Sequence, residues 1–412
     1  MYKLILIRFG DLTLKGKNRN LFTDALYSDL KFKLKKFNLE IEKKFDRIYL
    51  HINPNDYIDI EKILLKIPGI LNFSPAIKCE SNLDIIKEEA VKLIKEEIKN
   101  ETTFKIETKR SNKNFLLTSP EITKEVSSFV LKNISYLKVD VHNPNDTLNI
   151  NVKDEYTYLY LKTIKAMNGY PQGVMGKGLV LLSGGIDSPV SSYLAIKQGI
   201  EVELIHFEST PLTSIESVQK VIDLAKKIAS YSKHNKVKLH LIRFKEIHKN
   251  ILDKVKPSYH INVMRRMMYR IADKIAIDNK ILTLINGESV GQVASQTLES
   301  MNVVSSVCKT LILRPLITYD KNDIIKISKE IDCFDISIKP FEDCCTIYVP
   351  KNPVIKPKLE EAVNEENKFD YNKLIEEAIK ESTTLIIDKD SNLDITLDGF
   401  EVYNIFKENN TF

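Results

Sequence analysis

The chain has 412 residues, 43% hydrophobic and 28% charged, with a net charge of +5, which is the make-up of a globular protein large enough for two or three domains and excludes a disordered or low-complexity chain. No apolar run approaches the ~20 residues of a membrane-spanning helix. The opening MYKLILIRFGD reaches charge too early for a secretory signal, so a cytoplasmic protein with no membrane partner is expected.

Five scattered cysteines (Cys79, Cys308, Cys333, Cys344, Cys345) are odd in number and lack CxxC pairs, which argues against a disulfide framework or a structural zinc site. Charge is unevenly spread. Residues 1–176 carry 29 Lys and Arg against 23 Asp and Glu, residues 177–359 carry 27 against 19, and residues 360–412 carry 5 against 14. The basic body suits a polyanionic partner such as nucleic acid; a Lys-rich solvated surface is the plainer alternative.

Residues 1–55 read as strand YKLILI, a helix over roughly 18–37, and strands LEIEKKF and RIYLHI. Residues 56–165 follow with helix DYIDIEKILLKI, strand ILNFSPAIKC, helix LDIIKEEAVKLIKEEIK, strand TFKIETKR, a helix near 120–134, and strands TLNINV and YTYLYLK. These two stretches are expected to be α+β domains. Residues 166–178, AMNGYPQGVMGKG, hold four Gly and a Pro and serve as a linker. From 179 to 359 the apolar runs LVLL, VELIHF, VKLHLIRF and ILTLINGE alternate with helical stretches, the βαβ pattern of a parallel sheet. Residues 360–412 read as a short helix and an irregular acidic tail, able to pack on the preceding domain or stay loose.

The stretch LVLLSGGIDSPVSSYLAIKQG at 179–199 places SGGIDSP between a strand and a helix, where an open parallel sheet binds ligands. Gly184 and Gly185 allow a tight turn with accessible amides, Ser183 and Ser188 add hydroxyls, and Ser188 or Asp187 can cap the helix. The helix N-terminus then faces an anion. There is no GxxxxGK[ST] and no GxGxxG, so neither a Walker A loop nor a dinucleotide fold is expected. An ordinary glycine turn is the bland alternative.

SGGIDS in this position resembles the pyrophosphate-binding loop of the PP-loop ATP pyrophosphatases. Nearly the whole chain resembles the tRNA 4-thiouridine synthases of the ThiI type. FGDLTLKGKNR (9–19), VMRRMMYR (263–270), NGESVGQVASQT (286–297), RPL (314–316) and FEDCCTIYVPKNP (341–353) carry the resemblance, in order. It implies an α/β protein: an N-terminal ferredoxin-like domain (1–55), a THUMP RNA-binding domain (56–165), and a parallel-sheet, adenine nucleotide alpha hydrolase-like synthase domain (179–359). The implied reaction adenylates O4 of a uridine near position 8 of tRNA and inserts sulfur to give 4-thiouridine, AMP and pyrophosphate. ATP and Mg²⁺ are the implied cofactors.

Carried onto this chain, the family's ATP contacts fall on Leu181, Leu182, Ser183, Gly184, Gly185, Asp187, Ser188, His206, Phe207, Arg265, Gly287 and Gln296. Arg265 offers a fork of donors for phosphate, and Gly287 permits close backbone approach. Asp187 would help hold Mg²⁺ or position the reacting groups. Cys344 matches the cysteine that handles sulfur, as a thiolate or persulfide. Glu342 and Asp343 would raise its pKa, which Lys339 or Lys351 would offset. Cys345, Cys308 and Cys333 are alternative thiols that spacing does not rank. No cysteine follows Cys345, so a relay to a C-terminal rhodanese cysteine is not expected within this sequence. A cysteine desulfurase is the expected sulfur donor, and a thiamine sulfur-carrier protein the partner of the family's second role. Family members pair, so a homodimer is expected by resemblance.

The tRNA contacts are expected at Lys15, Lys17 and Arg19, and at Lys105, Lys109, Arg110 and Lys113, as phosphate ligands that set register. Two other readings are another PP-loop tRNA-modifying reaction, and a tRNA-binding protein with a degenerate nucleotide site.

Overall fold

The alternating runs at the start of the chain form strands β1 (Leu4–Phe9), β2 (Glu40–Lys43) and β3 (Arg47–His51), with helix α1 (Arg19–Lys33) between β1 and β2. The computed structural model describes residues 2–10, 16–113, 115–342 and 352–408. It separates into two compact units, Met1–Tyr170 and Pro171–Phe412.

In the first unit, α2 (Tyr57–Leu64) leads into β4 (Ile70–Glu80), followed by α3 (Leu83–Glu97), β5 (Thr102–Arg110), α4 (Ser119–Asn133), β6 (Leu137–Val139), β7 (Asp146–Val152), β8 (Tyr156–Tyr160) and β9 (Ile164–Lys165). The strands make one sheet in the order β2-β3-β1-β4-β8-β7-β5-β6, with β9 also against β4. β4 is the hinge of this order. Residues 70–76 pair with β1, and residues 77–80 pair with β8. The N-terminal half-sheet therefore draws on residues past position 56. The alternation of ILNFSPAIKC marks a strand but carries no record of which neighbour each half takes.

Helices α3 and α4 cover the second half-sheet because their apolar residues recur at helical spacing: Ile86, Ala90, Leu93 and Ile94 on one, Ile122, Val126 and Val130 on the other. Both start with side-chain caps. Asn82 accepts from the amides of Asp84 and Ile85, and Thr118 with Glu121 forms a capping box.

The second unit begins its sheet at β10 (Lys177–Leu181). It continues with α5 (Asp187–Lys197), β11 (Glu201–Glu208), α6 (Ile215–Ala229), β12 (Lys236–Arg243), α7 (Lys245–Lys254), α8 (His260–Asp278), β13 (Thr283–Ile285), α9 (Leu298–Ser305), β14 (Leu311–Leu313) and α10 (Lys321–Glu330). The strand order is β14-β13-β10-β11-β12-β15, where β15 is Thr383–Asp388. The first five are mutually parallel. The chain runs outward from β10 to β12 and then returns to lay β13 on the other side of β10. The order reverses between β10 and β13, which is where a crevice opens at the strands' carboxyl ends. Among the described residues no helix is long and apolar enough to cross a membrane.

The acidic C-terminal stretch differs from the short helix and irregular tail expected of it. It forms helices Leu359–Glu366, Tyr371–Lys380 and Val402–Glu408, and β15 adds to the sheet antiparallel to β12. The reason is apolar burial together with charge complementarity within this unit: Ala362, Phe369, Ile375 and Ala378 enter the core around α8. Glu366 accepts Nε and Nη2 of Arg266 and Nη2 of Arg270, each at 2.8 Å. Glu381 takes Arg243 at 2.7 Å and Glu401 takes Lys245 at 2.8 Å. Sequence periodicity marks the helix Tyr371–Lys380, whose Ile375 and Ala378 are buried, but does not register the ionic pairings.

Arg266 and Glu366 side chains are each 2% exposed. Glu366→Ala leaves a buried guanidinium without its counter-charge and is expected to cost about 3–5 kcal/mol, measured by urea unfolding. A second buried carboxylate fastens β15. Glu203 on β11 contacts His240 Nε2 at 3.2 Å, and His240 Nδ1 meets Thr384 Oγ1 at 2.8 Å. The His240 hydrogen bond, with the charges of Lys238 and Lys177, lowers the Glu203 pKa from 4.5 to about 2. Its stabilisation is complete above the unfolded value and is lost as pH falls from 4.5 towards 2. The stability difference between wild type and Glu203→Gln is expected to shrink as pH falls below about 4.5 towards 2, read from urea midpoints across that range.

Candidate active site

The SGGIDSP turn closes on itself. The Ser183 amide donates to Ser188 Oγ at 2.9 Å, the Ser188 hydroxyl lies 3.2 Å from the Ser183 carbonyl and 3.1 Å from Ser183 Oγ, and the Gly185 amide donates to Ser183 Oγ at 3.4 Å. Neither Gly184 nor Gly185 takes a positive φ. What they supply is open access to the amides rather than a special conformation. Helix α5 is capped by the backbone of Ile186 without a side-chain bond, so Ser188 and Asp187 do not act as the expected cap. Ser188 spends its hydroxyl on closing the turn. Asp187, in the first helical turn, accepts Lys321 Nζ at 2.7 Å and Gln292 Nε2 at 2.8 Å.

Gly287, just after β13, stands behind this turn. A Cβ there would lie 2.8 Å from the Asp187 carbonyl carbon and 2.9 Å from the Ser188 amide nitrogen. Its missing side chain thus serves the packing of two backbones. Ser191 Oγ adds a bond of 2.8 Å to the Asn286 carbonyl. The two loops flanking the switch between β10 and β13 are locked together.

Beside the turn is a cavity of about 440 Å³. Leu181, Leu182, Ser183, His206, Phe207, Arg265 and Gln296, all singled out in the sequence, line it. Its apolar lining includes Leu181, Ile205, Phe207, Ile261, Met264 and Met268. His206 is 4% exposed, and its Nδ1 lies 2.9 Å from the Leu182 carbonyl. The carbonyl can only accept, so Nδ1 carries the proton in this contact and the ring is fixed.

The lining also carries charge. Arg265 Nη1 donates to the Ser295 carbonyl at 2.6 Å, and Nη2 pairs with Glu288. Glu288 also accepts Arg314 Nε at 2.6 Å and Asn286 Nδ2 at 2.8 Å. Gln296 Oε1 receives the Ser289 amide at 3.3 Å. Glu288 and Lys321 were not singled out in the sequence. Glu288 lies inside the quoted NGESVG run, next to Gly287; Lys321 had no local signal, because its partner is 134 residues away.

Cys344 and Cys345 lie outside the described residues, as do Lys15 and Lys351. The chain on either side of them is anchored. Ser337 Oγ donates to the Gly185 carbonyl at 3.2 Å, and Lys220 Nζ donates to the carbonyls of Lys339 and Phe341 at 2.9 and 3.2 Å. On the other side Pro353 lines the cavity, and the Val354 amide bonds to the Ser258 carbonyl. Lys339 is paired with Asp223 at 3.7 Å. Of the remaining thiols, burial pushes the pKa of Cys308 up to about 12 and that of Cys79 up to about 12, and Cys333 is 1% exposed. All three are poor candidates for a reactive thiolate.

In the first unit, Lys17 is exposed in a turn at Gly16–Asn18, and the Arg19 guanidinium lies 3.7 Å from the Phe45 ring centroid. Lys105 and Lys109 share one face of β5, where Lys105 pairs with Glu107 at 2.6 Å. Arg110 falls on the opposite face. Its Nη1 reaches the carbonyls of Lys113, Phe115 and Leu117 at 3.4, 2.8 and 3.1 Å, so it holds the loop that carries Lys113.

Residues 173–371 match the family described as thiamine biosynthesis protein (ThiI), residues 4–74 its ferredoxin-like domain, and residues 80–162 the THUMP domain. A probable tRNA sulfurtransferase of Acholeplasma laidlawii is 52% identical over 98% of this chain and 98% of its own length. One of Halothermothrix orenii is 45% identical over 94% of this chain and 99% of its own length. Among solved structures, a 4-thiouridine synthetase–RNA complex with bound ATP superposes with a TM-score of 0.87 at 33% identity, over 94% of this chain and all of that one. On fold, domain content and end-to-end similarity, the chain belongs to the ThiI family.

Proposed function

We propose that this protein is an ATP-dependent tRNA sulfurtransferase that makes 4-thiouridine. The observation that carries the reading is the self-closed turn at the carboxyl end of β10, beside a cavity lined by apolar side chains together with Arg265 and Glu288. An apolar lining with a few charged groups suits an adenine nucleotide. The solved relative that was captured with RNA and ATP supports it.

In this reading adenine packs against the apolar lining, which includes Phe207 and Met268, and the phosphates meet the amides of residues 183–188 and the N-terminus of α5. The uridine O4 attacks the α-phosphorus; an O–P bond forms, the bond to the β-phosphate breaks, and pyrophosphate leaves. Lys321 and the turn's amides stabilise the charge that develops there. Asp187 is the carboxylate at this position. Asp187, whose oxygens accept Lys321 and Gln292 here, is the residue that would hold Mg²⁺, and the ion would neutralise phosphate charge.

The terminal sulfur of a Cys344 persulfide then attacks C4, and the C4–O bond breaks as AMP leaves. A second thiol cuts the S–S bond that remains, and the resulting disulfide is reduced by an external thiol. Burial of Cys308 and Cys333 disfavours them for that second role, and a disulfide between the neighbours Cys344 and Cys345 is strained. A cysteine desulfurase loads the persulfide. Sulfur supply to a thiamine sulfur-carrier protein is the second role we attach to the family description.

Purified chain with ATP, Mg²⁺, unmodified tRNA, cysteine and a cysteine desulfurase is expected to yield 4-thiouridine on nucleoside analysis. Cys344→Ser is expected to give none, and Asp187→Ala a rate lower by about 100-fold or more. Undiminished product from Cys344→Ser would remove that residue from sulfur transfer. For tRNA, Lys109→Glu with Lys113→Glu is expected to weaken binding and to flatten the salt dependence by about 1–2 in log–log slope, with ATP affinity unchanged. Unaltered affinity and slope would move the RNA contact elsewhere.

A further inference from the structure

The charged part of the cavity lining is organised by one carboxylate. The Glu288 side chain is 7% exposed and that of Arg265 14%. Around Glu288 stand Arg265 Nη2, Arg314 Nε at 2.6 Å, Asn286 Nδ2 at 2.8 Å and the Tyr269 hydroxyl at 3.5 Å, while its own amide donates to Asn286 Oδ1 at 3.1 Å. Arg314 is itself fixed, because its Nη2 donates to Ser305 Oγ at 2.6 Å. Two guanidiniums against one carboxylate leave a single net positive charge.

We infer that Glu288 is a positioning residue for nucleotide binding, acting through Arg265; the inference rests on reading the cavity as the ATP site. An arginine reaching into a cavity from a helix has many rotamers. Here Glu288 holds one terminal nitrogen and the Ser295 carbonyl the other, so the guanidinium plane is set before a ligand arrives. Glu288 is set in turn by Arg314, which does not line the cavity. The arrangement also keeps the two arginines from repelling each other. Anionic phosphates then meet an oriented donor plane carrying one net charge, with the carboxylate's second oxygen directed to Arg314.

The test is a double-mutant cycle read by ATP binding calorimetry and steady-state kinetics. Glu288→Gln is expected to raise the Kd and KM for ATP by about tenfold, with the KM for tRNA within about twofold of wild type. In an Arg265→Met background the same substitution is expected to change ATP affinity by less than about twofold, because the group it acts through is gone. Losses that simply add in the double variant, or equal effects on ATP and tRNA, would overturn the inference and leave Glu288 a structural residue. If Glu288→Gln does not fold, Arg314→Lys serves: it keeps the charge, loses the Nε donor, and should weaken ATP binding only when Arg265 is present. Wild-type protein that binds no ATP would instead overturn the reading of the cavity itself, so the two failures are distinguishable.

Discussion

The hydroxyl of Ser188 is the small contact on which the synthase unit turns. By meeting both the amide and the carbonyl of Ser183, it closes a six-residue loop at the point where the strand order reverses. A parallel sheet gathers its strands' carboxyl ends on one edge, and only at such a reversal do two neighbouring loops part to leave a crevice. Gly287 lets the loop after β13 press directly on this one. The cavity, the charged cluster and the anchored chain at 337–341 are all measured from that junction.

What could be read in the sequence was what is contiguous. SGGIDSP needs only its own neighbours to form a turn between a strand and a helix, and the strand ends at Leu181 and Phe207 follow from apolar runs. Long-range pairing is a different kind of information. Lys321 earns its place by meeting Asp187, Glu366 by meeting Arg266, and β4 by taking different partners along its length; none of these leaves a periodic trace. Arg110 shows the converse limit. In the sequence it reads as one more cation in a basic run, yet its face of β5 turns it towards three backbone carbonyls.

Helix α8 distributes its arginines by the geometry of 3.6 residues per turn. Arg265 faces the cavity, while Arg266 and Arg270, four apart, share one carboxylate on Glu366. Met264 and Met268 join the cavity's apolar lining from the same helix. One helix therefore supplies part of that lining, one cation of the cavity, and the anchor for the C-terminal stretch. That stretch is where the sequence is most acidic, and its charge is spent on the basic unit it covers.

The eleven residues of β4 carry β1 along one half and β8 along the other. The ferredoxin-like and THUMP portions are thus written on a single strand rather than joined by a tether. Cutting between them breaks one of β4's two ladders and bares an edge prone to self-association. Under load or heat they should give way together, as one cooperative block.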